Sequence, residues 1–175
     1  MPSDRWALQV SAARLRVATS DFPFPNQPAD TRATLSATYH RPLSNIGIWA
    51  TTAAFGVNHA RERVALGVFE GTSAAGLVES SATFSDRHTV FGRGELGGMP
   101  AHHLHAHEYS LLTVPIGKVQ AGYVRHLKMP KSLVPGIGAA AALSFVSREL
   151  APRYSGKVSP TFTVFFTLQA ARHQM

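Results

Sequence analysis

The chain has 175 residues, 45% of them hydrophobic and only 15% charged, with a formal net charge of +7. Intrinsic disorder needs low hydrophobicity with high net charge, so that class is excluded. A helical membrane protein needs stretches of about 20 apolar residues, whereas the longest run free of Asp, Glu, Lys and Arg, residues 42–60, is dotted with Ser, Thr and Asn.

Cysteine is absent, which removes disulfide frameworks and thiolate metal sites. The basic excess is scattered arginine, without the clustered basic stretches of a nucleic-acid-binding surface, so no nucleic-acid partner is expected. The opening residues Met1 to Trp6 lack the basic start and apolar core of a signal peptide.

Period two runs through most of the chain, as in strands with two unlike faces. Arg5 to Val17 alternates from Trp6 to Ala12 and then swaps faces, as at a bulge. Residues 18–31, rich in Pro and Asp, read as a loop. Ala33, Leu35, Ala37 and Tyr39 alternate with Thr34, Ser36, Thr38 and His40, and residues 42–45 supply turn chemistry. Ile46 to Asn58 follows with Trp49, Ala53, Phe55 and Val57 on one face. Residues 59–75 read as a longer connection holding one short candidate strand, Val64 to Phe69. Leu77 to Asp86 and His88 to Leu96 flank a reversal at Asp86-Arg87. Tyr109 to Ile116 and Val119 to Lys128 are separated by a hairpin signal at Gly117-Lys118. Val134 to Ser147 sets Ile137, Ala139, Ala141, Leu143 and Phe145 against Gly and Ala. The last strand, Thr161 to Ala170, has Phe162, Val164, Phe166, Leu168 and Ala170 on its even positions.

Nine strands and the short candidate result, with no helical period. The fold class expected is all-β: an antiparallel, up-and-down, transmembrane-type barrel of about 8–10 strands, with short turns on one side and long loops on the other. Residues 1–175 read as one barrel domain, or as the C-terminal portion of a larger barrel.

Several stretches resemble bacterial outer-membrane β-barrel proteins of an uncharacterised porin-like family: Ala37 to Leu43, Trp49 to Thr52, Leu77 to Ser81, Thr89 to Leu96, Ala121 to Leu127 and the aromatic last strand. The resemblance implies residence in the bacterial outer membrane, contact with its lipids and with the barrel-assembly machinery, and no established substrate. Members of such families are usually longer and carry a signal peptide, so this chain is expected to be a C-terminal part.

Glu79, Arg93 and Glu95 all lie opposite the apolar face of their strands, and pairing across the Asp86-Arg87 reversal brings them to one patch. With Arg125 they are the expected lumen charges, because an outward-facing Arg costs about 2–4 kcal/mol at the membrane midplane. They act either as an inward salt-bridge network or as a charge-selective constriction.

The most unusual local feature is the histidine cluster His102, His103, His105 and His107, followed by Glu108. Imidazole is the commonest ligand for Zn and Cu, so these residues are a candidate weak metal site; no other cofactor is expected. Alternating residues lie about 7 Å apart along a strand, so one ion would require a bend, which Gly97-Gly98-Met99-Pro100 can supply. His40, Ser44 and Asn45 sit together at a turn, but no lipid-hydrolase motif surrounds them, and no enzyme is expected. Beside the passive porin-like reading stand a metal-binding outer-membrane protein and a soluble lipocalin-like barrel with its apolar face turned inward.

Overall fold

The structure is a computed structural model describing residues 4–16, 29–43, 47–64, 67–104, 112–127, 133–152, 154 and 156–170. Eight strands follow one another: β1 (Trp6–Arg16), β2 (Ala29–Pro42), β3 (Ile48–Val64), β4 (Gly67–Phe84), β5 (His88–Pro100), β6 (Thr113–His126), β7 (Leu133–Val146) and β8 (Val158–Ala170). They form a single antiparallel sheet in the order β1 to β8. A 3-10 helix, Ala101–Leu104, follows β5. The sheet is open: β1 and β8 are its two edges.

Register explains the alternation. Leu8 pairs with Ala37, Ala37 with Ala53, Ala53 with Val78, Val78 with Gly94, Gly94 with Val119 and Val119 with Leu143. A strand turns successive side chains to opposite faces, so this row and its neighbours form one apolar face. The other face carries the charged and hydroxyl residues and many small ones, with larger apolar side chains such as Leu77, Phe91, Met99, Ile116 and Phe165 between them. Hydroxyl pairs bridge adjacent strands there: Ser11 to Thr34 at 2.6 Å, Thr38 to Thr52 at 3.0 Å and Thr83 to Thr89 at 2.9 Å. Such cross-strand pairs hold register.

The sheet curls toward its polar face. Arg32 on β2 and Ser144 on β7 line one cavity there. Along β7 the residues on that face, Gly136, Gly138, Ala140 and Ala142, are buried, while their neighbours Ile137, Ala139, Ala141 and Leu143 are exposed. Small residues thus occupy the inside of the bend, where room is least. Two phenylalanines use the same space. A Cβ at Gly122 would meet the Phe91 ring, and one at Gly138 would lie 2.6 Å from Phe165. The two rings therefore lie over glycines of β6 and β7 and meet with centroids 6.2 Å apart, a separation that favours aromatic pairing.

Four expectations change. Among the described residues there are eight strands, because Gly117-Lys118 lies inside β6 and not at a turn. Gly117 pairs with Leu96 on one side and Phe145 on the other, and a Cβ there would lie 3.3 Å from the Leu96 side chain; the glycine marks close packing. Residues 59–75 are mostly strand. β3 and β4 stay paired as far as Val64 and Gly67, helped by His59 Nδ1 to Thr72 Oγ1 at 3.0 Å and an Arg61–Glu70 ion pair at 3.4 Å. The face that is apolar in mid-sheet carries His59, Arg61, Glu70 and Thr72 at that end, which erases hydrophobic period without ending the ladder. The strand candidate from Val64 to Phe69 dissolves into these two strands. Finally, β1 has no bulge: its pairing with β2 is one-for-one from Trp6 to Arg16, which puts Leu15 on the polar face and Arg14 on the apolar one. The reversal between β4 and β5 does occur, over residues 85–87. Ser85 and Asp86 both take φ of 52°, as the two central residues of a type I′ turn do, and the Arg87 amide donates to the Phe84 carbonyl at 3.1 Å.

Gly122→Ala should force Phe91 off its seat and cost about 1–3 kcal/mol, the usual penalty of overpacking. Urea unfolding should also show that Gly122→Ala combined with Phe91→Leu costs less than the sum of the two single changes.

Candidate functional site

The concave face is the place where chemistry-bearing side chains converge. Glu79 on β4 and Arg93 on β5 are direct register partners. Arg93 reaches Glu95, two residues along the same face, with Nη2 at 2.8 Å and Nε at 3.2 Å from one carboxylate oxygen, and lies 3.9 Å from Glu79. One guanidinium thus serves two carboxylates. Two bonds to a single Glu95 oxygen fix its orientation, and Glu79 contributes a longer, weaker attraction. All three side chains remain about half exposed, so the net worth of each pair is small.

The fourth expected lumen charge lies elsewhere. Arg125 pairs with His88, and Arg93 pairs with Gln120. Arg125 lies an odd five positions along the strand from Gln120, so it faces the opposite, convex side. It stands just beyond Tyr123, whose hydroxyl bonds to His88 Nδ1 and whose ring stacks on the His88 ring at 6.0 Å. In its place Lys118 and Gln120 of β6 join the concave face, opposite Glu95 and Arg93. Reading Gly117-Lys118 as a turn hid both residues. The signal that reveals them is the unbroken odd-numbered series Thr113, Pro115, Gly117, Val119, Ala121 and Tyr123.

Two cavities open on this face. A smaller one, about 350 Å³, is lined by Thr52, Glu79, Ser81, Phe91, Arg93 and Gln120 among others. A larger one, about 780 Å³, spans β2 to β7 toward the other end of the sheet and includes Leu77, Glu95, Met99, Ile116, Lys118 and Tyr154. Beside it, Leu150 from the β7–β8 connection is completely buried with Ala101 and Val114, and Leu104 and Val146 pack on that cluster. The cluster ties two connections to the ends of β6 and β7. At the opposite end, His126 is 93% buried, its Nε2 3.0 Å from Thr89 Oγ1, which is itself bonded to Thr83.

Of the histidine cluster, His102 and His103 belong to the 3-10 helix Ala101–Leu104, and their side chains lie outside the described residues. His105, His107 and Glu108 lie outside them altogether, as do Ser44 and Asn45 of the turn beside His40. Among the described residues no group of three or more His, Asp or Glu side chains is placed to hold a metal ion.

Comparison with protein-family models, with curated proteins and with solved structures found no match to this chain.

Arg93→Gln should destabilise the fold by about 0.5–1 kcal/mol, within the range of partly exposed ion pairs, and by more than Glu79→Gln does. Unfolding at low and high salt checks it: the difference should shrink as salt screens the carboxylates left behind.

Proposed function

We propose that the chain is a bacterial outer-membrane β-barrel protein, porin-like, that works passively through its lumen and loops and performs no catalysis. The observation that carries this reading is the inverted distribution of apolar side chains. Phe162, Val164, Phe166, Leu8 and Val10 are each more than 70% exposed on the convex face, while Glu79, Arg93, Glu95 and Lys118 share the concave one. A water-soluble sheet buries its apolar face. Here that face is satisfied only by an apolar surrounding, and lipid chains supply one. A lipocalin-like barrel would curl toward the apolar face, opposite to the curl seen here.

Three further features support the reading. Every strand has 11–18 residues, enough for the roughly 9–11 that a tilted membrane strand requires. The convex apolar band ends on one side in aromatic residues: Trp6 packs on Tyr39 at 4.9 Å and Tyr39 on Trp49 at 5.9 Å, with Phe84 and Tyr123 further round. Aromatic residues gather at membrane–water boundaries, and Arg41 and Arg125 at that end of the sheet have the long stems that let a charge reach water. On the other side the band gives way to Arg14, Thr31, His59, Arg61, Glu70 and Thr72. No helix among the described residues is long and apolar enough to cross a membrane, and the reading assigns the crossing to the strands. The partners are then outer-membrane lipids and the assembly machinery that inserts barrels.

Planar-bilayer conductance or liposome swelling tests the diffusion role. A folded, inserted sample that conducts nothing would remove that role and leave an anchoring one. The lipid-facing assignment has its own test: Val78→Arg, in the middle of the convex band, should cost about 2–4 kcal/mol of stability in bilayers. Ser36→Arg on the concave face should cost far less, and equal costs would sink the assignment.

A further inference from the structure

The larger cavity carries an ammonium with no bonded partner among the described residues. Its lining is largely aliphatic, with Ala54, Leu77, Met99, Ile116 and Val146 among the contributing residues. Arg32 is paired with Asp30 at 2.8 Å. Glu95 stands directly across the β5–β6 ladder from Lys118, but its carboxylate turns to Arg93 at 2.8 Å. Lys118 is therefore left, among the described residues, without an ion-pair or hydrogen-bond partner, half-buried at the wall of an apolar space. A cation in such surroundings is costly unless it is paired. The volume of about 780 Å³ lies within the range of small-molecule sites.

We propose that this cavity binds an aliphatic carboxylate, the chemistry of a free fatty acid. Its chain lies along Leu77, Met99 and Ile116, and its head group accepts a hydrogen bond from the Lys118 ammonium. The two parts of the site match the two parts of the ligand. The apolar wall removes the chain from water, and the ammonium provides a charge-assisted bond to the head. Glu95 leaves the ammonium free to bond a ligand, because its own carboxylate is turned to Arg93. The proposal does not depend on membrane residence, since the cavity lies on the concave face whichever solvent meets the convex one.

Titration calorimetry on the folded chain in amphipol, with decanoate and decyltrimethylammonium as probes and amphipol alone as blank, tests the site. Saturable binding of decanoate, tighter than that of the cationic probe, is expected. Lys118→Gln should weaken decanoate about tenfold, the low end for losing a hydrogen bond to a charged group, and should not weaken the cationic probe. Lys118→Arg should preserve the preference, and Ala54→Trp should abolish binding of both probes by filling the apolar part. Wild-type far-UV circular dichroism and a cooperative unfolding transition serve as the folding check for each variant. Absence of saturable decanoate binding to folded wild type, equal affinity for the two probes, or an unchanged decanoate affinity in folded Lys118→Gln would each overturn the proposal. Bilayer insertion is measured separately, so a chain that binds decanoate but never inserts would refute the membrane reading alone.

Discussion

Everything in this fold depends on an uninterrupted backbone ladder. Seven antiparallel pairings join eight strands in sequence order, each in one-for-one register. Because side chains alternate strictly, a slip of one residue in any pairing would exchange the faces of every strand beyond it. The chain guards against that with cross-strand hydroxyl pairs on the concave face and aromatic contacts on the convex one. Both act on the same stretch of the β2–β3 ladder: Thr38 and Thr52 are bonded on one face while Tyr39 and Trp49 pack diagonally on the other. The period-two pattern is therefore a register code as well as a solubility pattern.

Curl follows from what that code places on the concave face. Along β7 the inward positions are Gly, Gly, Ala and Ala, and Phe91 and Phe165 lean from the flanking strands over the glycines of β6 and β7. Two rings covering two glycines fill the inside of the bend without crowding it. Where the concave face instead carries Thr, Ser and charged residues of β2 to β5, joined toward one end by Leu77, Met99, Ile116 and Val146, the bend leaves open space, and the cavities lie there. Curvature and site thus share one cause: the unequal size of inward residues from strand to strand.

Much of this was legible in the sequence. The apolar face of β2, β3, β5, β7 and β8 could be read residue by residue, and the pairing of Glu79 with Arg93 followed from the Asp86-Arg87 reversal. What escaped notice had physical reasons. Polar pairs such as Arg61–Glu70 carry β3 and β4 beyond the apolar band, where hydrophobic period has nothing to report. Gly117 looks like a turn because glycine is used both for turns and for close packing, and only the neighbouring strands, Leu96 and Phe145, decide between these uses. The facing of Arg125 depended on that decision, since splitting β6 at Gly117-Lys118 loses its phase. Lys118 was lost with it, although it is the residue that gives the larger cavity its charge. The cluster around Leu150 joins residues from three distant parts of the chain, and no local pattern announces such a contact.

The open edges set a condition on the proposed function. In water, the outer N–H and C=O groups of β1 and β8 are solvated; in hydrocarbon each unsatisfied group costs several kcal/mol. A membrane location therefore requires both edges to find backbone partners. Eight strands in an up-and-down order make β1 and β8 run in opposite directions, so a ladder between them would be ordinary antiparallel pairing. The face code agrees with this: Leu8 and Val10 on β1, and Phe162, Val164 and Phe166 on β8, all lie on the convex side. Joining the edges would continue the apolar band without a break and would keep Ser11, Thr161 and Thr163 on the inside. Additional strands between the two edges would meet the same requirement if they kept the same alternation. In either case, the property that makes these two strands the most exposed in the sheet is the one that suits them to lie in an unbroken wall.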